Sequence, residues 1–301
     1  MNVRTGPLRE GADEDPAVGW TATTVATESR QVPIRLFRPT RASDLWLVWA
    51  HGGSWTGGSV GGAWHHACAD LARLAGGTVV SVDYRLAPRH RHPAALHDVL
   101  DVMDWAQRQA DREQPGSRIA VGGDSAGGTL ASCAALVWRD RHRPLGAQVL
   151  AYPPIDPECD AASYRTDPAS FPTRGGLVGS WEAYRGPGYR FDASTGHYST
   201  PAEAADLTDV APAVLVVGSR DPVADDVRAY AERLTGAAVP VSFREFPQLG
   251  HGVFLRPPTQ SSGRDRAADD PLRSWLGATL REVLNRPRDF SATTQTRRAM
   301  S

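Results

Sequence analysis

The chain has 301 residues, 41% of them hydrophobic and 22% charged, with a formal net charge of -1. That length suits one large α/β domain or two small ones, and the near-neutral balance disfavours nucleic acid as a partner. Three dispersed cysteines (Cys68, Cys133, Cys159) make neither a disulfide framework nor a zinc site, and no run approaches the ~18 apolar residues of a membrane span.

Residues 1–19 are polar and acidic without the apolar centre of a secretion signal. They read as a flexible N-terminal segment of a cytoplasmic protein. Thr21–Ala26 and Val32–Phe37 alternate and read as an antiparallel edge hairpin. Beyond them the apolar runs are short and continuous: Leu45–Ala50, Thr78–Val82, Arg118–Val121, Ala147–Tyr152 and Ala213–Val217. Continuous runs predict strands covered on both faces, as in a parallel sheet. Helical spacing fills the gaps, over Trp64–Leu74, Ala94–Gln109, Thr129–Arg139, Val223–Leu234 and Ala268–Leu284. Strand–helix alternation of this kind predicts a doubly wound α/β domain over 20–285. The alternation breaks over 155–210, a segment rich in Pro, Gly and aromatics that reads as a cap or lid. Residues 286–301 are polar and Arg-rich and read as a disordered tail.

Gly123-Asp124-Ser125-Ala126-Gly127 lies between a strand-like run and a helix-like run. In that context G-x-S-x-G is a nucleophile elbow, whose strained turn lifts the Ser hydroxyl off the sheet edge. A hydroxyl needs a base to become a nucleophile. Among nine His, His251 has glycines on both sides and follows the strand-like Val241–Phe246. Asp221 follows Ala213–Val217 at a strand's C-terminal end and is the expected acid that orients the imidazole. It also suits an N-cap ahead of Pro222. Asp225 and Asp226 are rivals placed inside the first helical turns. His51-Gly52-Gly53-Ser54 follows Leu45–Ala50 and is the expected oxyanion loop, with donors at Gly52, Gly53 and Ala126, each worth about 3 kcal/mol in the transition state. The His51 ring is expected to brace that loop. His90, His92 and His97 read as surface residues. His65-His66 are adjacent and point to different helix faces, so no metal site is expected.

Together these residues resemble the hormone-sensitive-lipase-like branch of the α/β-hydrolase superfamily. Asp83-Tyr84-Arg85-Leu86-Ala87-Pro88 is similar to that family's DYRLAP segment. Gly122–Gly128 is similar to its GDSAGG block, Asp221–Asp226 to DPLxDE, and His251-Gly252 to HGF. The resemblance runs from about Val32 to about Leu284. It implies an eight-stranded, mostly parallel sheet under a cap, and a cofactor-free serine esterase using Ser125, Asp221 and His251. Its partner is a small-molecule ester, with a homodimer as one assembly open to the chain. Ser54 stands where the family has a third Gly, Arg89 where it has Glu or Gln, and Val253 is inserted before Phe254. With a reduced cap, Ser54, Trp55, Trp181 and Phe254 are the expected substrate-binding residues, and esters of small or medium acyl groups the expected substrates. A deacetylase, amidase or acyltransferase with the same triad is the alternative on the same fold. A related peptidase and a non-catalytic ligand receptor are more distant ones.

Overall fold

The computed structural model describes residues 17–27, 29–167, 169–255 and 270–285. Most of the expected N-terminal segment and all of the expected tail lie outside the described residues. In chain order the elements are β1 (Val18–Ala26), β2 (Gln31–Pro39), β3 (Leu45–Ala50), α1 (Ala63–Ala75), β4 (Thr78–Val82) and α2 (Ala94–Glu113). Then come β5 (Arg118–Asp124), α3 (Ala126–Asp140), β6 (Gln148–Ala151), α4 (Ser163–Thr166) and α5 (Arg174–Arg185). The series ends with β7 (Ala213–Gly218), α6 (Ala224–Gly236), β8 (Val241–Phe246) and α7 (Pro271–Asn285).

The strands form one 8-stranded sheet in the order β1-β2-β4-β3-β5-β6-β7-β8. β1 and β2 are the antiparallel hairpin, β2 meets β4 antiparallel, and every later pairing is parallel. All residues of β3, β4, β6 and β7 are buried. Because successive side chains point to opposite faces, complete burial means that both faces are covered, as the continuous apolar runs require. The cover is helical: α1 packs on α7, and α2 on α3. Helix α1 stops at Gly76, whose φ of 66° turns the chain in the left-handed region and returns its N–H to Ala72 and Arg73 carbonyls. Among the described residues no helix is long and apolar enough to cross a membrane.

The strand order places the chemistry. From β3 the chain moves one way to β4, then returns to lay β5 along the other side of β3. This reversal leaves a crevice at the carboxyl ends of β3 and β5, where Ala50 pairs with Gly123. The loop that starts at His51 therefore emerges beside the turn that carries Ser125. The excursion between β6 and β7 contains α4, α5 and a short 3-10 turn at Pro201–Glu203.

Candidate active site

Ser125 sits between β5 and α3 with φ 51° and ψ -125°, the strained elbow expected from the motif. The flanking glycines are dictated by close approach. A Cβ on Gly127 would lie 2.0 Å from the Ala50 carbonyl oxygen, and one on Gly123 would lie 2.3 Å from the Gly127 carbonyl. Strand and helix thus pass in contact and the hydroxyl projects from the sheet edge. The Ser125 N–H donates to the Ala151 carbonyl at 2.8 Å, so the neighbouring strand β6 fixes the turn.

His251, in the loop after β8, faces that hydroxyl, with Nε2 2.8 Å from Ser125 Oγ. Its Nδ1 lies 2.9 and 3.0 Å from the two carboxylate oxygens of Asp221. Asp221 Oδ1 also accepts the Val223 N–H at 3.0 Å. Helix α6 begins at Ala224 with Val223 as its cap, so Asp221 is not the cap residue itself. Neither rival acid is used this way. Asp225 accepts from the Ser163 N–H and pairs with Arg228. Asp226 accepts the Ile155 and Asp156 N–H groups and the Tyr164 hydroxyl, fastening the start of the excursion to α6. Burial pushes its carboxyl up to about 6.

The oxyanion loop departs from expectation at one position. The Gly52 N–H donates to Asp124 Oδ1 at 3.1 Å, so it faces the carboxylate and not the space before Ser125. Gly53, Ser54 and Trp55 follow with φ of 109°, 55° and 59°. The run turns the chain sharply, and the Thr56 and Gly57 N–H groups return to the Gly53 carbonyl at 3.1 and 2.9 Å. Ala126 opens α3, so its N–H belongs to the first turn of that helix, where N–H groups lack an intrahelical acceptor. The His51 ring braces the loop as expected: its Nδ1–H donates to the Gly52 carbonyl at 2.7 Å, and it stacks on Tyr84 at 4.2 Å. The Tyr84 hydroxyl donates to the His51 carbonyl. Burial lowers the His51 pKa and keeps the ring neutral.

The four expected substrate residues divide. Ser54 is half-buried on the oxyanion loop. Trp55 and Trp181 are buried together, ring centroids 4.2 Å apart, and Trp55 stacks on Tyr184 at 4.8 Å. Helix α5 thus seals the side of the oxyanion loop. Phe254 is elsewhere in role: it is fully buried and stacks on Trp49 of β3 at 4.7 Å. The exposed Phe171 of the excursion comes edge-on to the His251 ring at 6.0 Å.

Three placements differ from the sequence reading or were absent from it. His92 and His97 are not surface residues. His92 is half-buried under α5, donating from Nε2 to the His197 carbonyl and accepting from the Tyr184 hydroxyl, while His97 Nε2 meets His197 Nε2 at 3.1 Å. Asp124, part of the GDSAGG-like block, carries no assigned role in the sequence. Its buried carboxylate collects the Gly52 N–H and the indole N–H groups of Trp49 and Trp64. Tyr152, at the end of β6, tilts against the His251 ring at 4.8 Å. No periodicity or spacing in the sequence marks any of these contacts. Among the described residues, no group of His, Cys, Asp and Glu could hold a metal ion. His65 is buried against Trp20, Phe37 and Arg35, whereas His66 faces outward.

The architecture and the sequence agree with known proteins. A family model described as alpha/beta hydrolase fold matches residues 47–255. The carboxylesterase NlhH of Mycobacterium tuberculosis is 33% identical over 281 residues, covering 88% of this chain and 85% of NlhH. The ethyl acetate hydrolase of Pseudomonas putida is 31% identical over 269 residues, 81% of this chain and 78% of that protein. Among solved structures, esterase LipW from Mycobacterium marinum superposes with a TM-score of 0.76 at 32% identity, covering 89% of this chain and 83% of LipW.

Proposed function

Because this chain belongs to the α/β-hydrolase family, as a serine carboxylic ester hydrolase of the hormone-sensitive-lipase-like branch, we propose that hydrolysis runs through an acyl-enzyme on Ser125. One observation carries the assignment: the unbroken path from Ser125 Oγ through the His251 ring to the Asp221 carboxylate. His251 takes the hydroxyl proton as Ser125 attacks the ester carbonyl. It then returns the proton to the leaving alcohol, and water repeats the cycle on the acyl-enzyme. Asp221 fixes the tautomer with hydrogen on Nδ1 and stabilises the imidazolium. We assign the oxyanion donors as the N–H groups of Gly53, Ser54 and Ala126, with Ser54 in place of Gly52, whose N–H is bound to Asp124.

Ser125→Ala removes ester turnover and leaves the fold intact. Asp221→Asn lowers kcat by up to about 10⁴-fold, whereas Asp225→Asn, at a carboxylate bound to Ser163 and Arg228, changes it little. Steady-state rates on p-nitrophenyl acetate read all three, and a reversed order of the two Asp variants would reject Asp221 as the acid.

The acyl group in this reading is short. Two tryptophans and Tyr184 fill the space beside the oxyanion loop, and a relative carries the name ethyl acetate hydrolase. A series of p-nitrophenyl esters from acetate to laurate should peak at the short end. A maximum at long chains would show that acyl room lies in another direction.

A further inference from the structure

Helix α7 delivers a buried guanidinium to the turn that follows His251. Arg273 is 2% exposed. Its Nη1 donates to the main-chain carbonyl of Phe254 at 2.6 Å. Two carboxylates lie farther off: Nε is 3.5 Å from Asp70 Oδ2 on α1, and Nη2 is 3.4 Å from Asp270 Oδ2. The Phe254 carbonyl thus lies nearer to the guanidinium than either of these two carboxylates. That carbonyl belongs to the short 3-10 turn Val253–Leu255, which starts two positions after His251.

The same residue is held from the opposite side. The Phe254 N–H donates to the Tyr152 hydroxyl at 3.0 Å. Tyr152 lies at the end of β6 with φ 41°, a backbone conformation that needs support from its surroundings. Both main-chain polar groups of Phe254 are thus satisfied by side chains, and its ring is pinned on Trp49. Between this anchor and His251 lie only Gly252, with φ 76°, and Val253. A loop with glycines on both sides of its histidine has little rigidity of its own. Its geometry must come from what grips its ends, and a charge-assisted hydrogen bond is a strong grip.

We propose that Arg273 is a positioning residue for His251, acting through the main-chain carbonyl of Phe254. The proposal rests on the reading of His251 as the base. The carboxylates of Asp70 and Asp270 hold the guanidinium in orientation, and the guanidinium holds the turn. A displacement of the imidazole by a fraction of an ångström from Ser125 Oγ slows proton transfer without altering how the ester is bound.

The test compares Arg273→Met, Arg273→Lys and His251→Ala with the unchanged chain. The rate on p-nitrophenyl acetate is read together with fluorophosphonate labelling of Ser125, whose amplitude counts intact sites and whose rate reports activation of the hydroxyl. We expect Arg273→Met to label to full amplitude with kcat and labelling rate both lowered at least tenfold and KM within threefold. Arg273→Lys, which keeps the charge and loses the planar fork, is expected to fall between the two. A purely structural role predicts a lower melting temperature with an unchanged kcat per labelled site, and that result in either Arg273 variant overturns the proposal. Should Arg273→Met fail to label because it does not fold, Arg273→Lys carries the decision by the same criterion. His251→Ala separates the two readings. Turnover retained there removes the base assignment and the clamp with it. Loss there, with Arg273 variants at full kcat, removes the clamp alone.

Discussion

Asp124 shows what a single side chain can do when the fold surrounds it with donors. Its carboxylate is fully buried and receives three neutral N–H groups, from Trp49, Trp64 and Gly52. Burial pushes its pKa up to about 6, against the lowering effect of the two indoles, the Gly52 N–H and the charge of His251. The folded value lies above the unfolded one, so the native state binds the proton more tightly. Ionisation then lowers stability progressively as the pH rises from about 4 to about 6, by roughly 3 kcal/mol in total. Asp226, raised to about 6 by burial, acts in the same direction. The charge is nonetheless useful, because it turns the Gly52 N–H inward and so sets the direction of the N–H groups that follow. Asp124→Asn puts an NH₂ group among donors and leaves at least one without an acceptor. We expect it to lower kcat at least tenfold at pH 8. Urea unfolding at pH 5 and pH 8 should show a smaller loss of stability with rising pH in this variant than in the parent chain. An equal loss would mean that Asp124 does not titrate there.

The excursion between β6 and β7 is fastened to the sheet domain by specific side chains. Helix α5 is held at its C-terminal end by His92, whose Nε2–H donates to the His197 carbonyl while Nδ1 accepts from the Tyr184 hydroxyl. A neutral ring is required, since a protonated one has no lone pair to accept with. Burial brings the His92 pKa down to about 4, helped by the charges of His197, Arg185 and His97. His97 and His197 are lowered as well, chiefly by burial. For these groups the folded value lies below the unfolded one. The His92 contribution is complete above about 6.5 and is lost as the pH falls toward about 4, and the other two act in the same direction. Hydrogen exchange over 174–200 should therefore quicken between pH 7 and pH 5, after correction for the intrinsic rate. His92→Phe keeps the ring and removes both hydrogen bonds, so exchange there should be fast at both values. Protection that is indifferent to pH in the parent chain would contradict this account of the junction.

Across the whole molecule, the strand order gathers the C-terminal ends of β3, β5, β7 and β8 along one rim, and this brings residues 125, 221 and 251 together. Among the described residues, the same order leaves β8 at one edge of the sheet, carrying Arg244, Glu245 and a partly exposed Phe243. A homodimer remains a proposal for this chain, and charged residues on an edge strand work against pairing there. Sedimentation velocity over a hundredfold dilution decides it, and one monomeric species throughout removes the dimer. Much of this molecule was written locally. Continuous apolar runs specified buried parallel strands, the elbow pentapeptide specified a strained turn, and Asp221 and His251 were marked by strand ends and flanking residues. Each of these signals works at short range, through backbone conformation and burial, so a linear reading recovers them. The direction of the Gly52 N–H, the half-buried His92, the inward placement of Phe254 and the reach of Arg273 had no such mark. Each depends on a partner at least 19 positions away in the chain. Hydrogen-bond direction and the desolvation of a charge are set only when distant segments close around a group, and for these residues the tertiary structure alone decided the outcome.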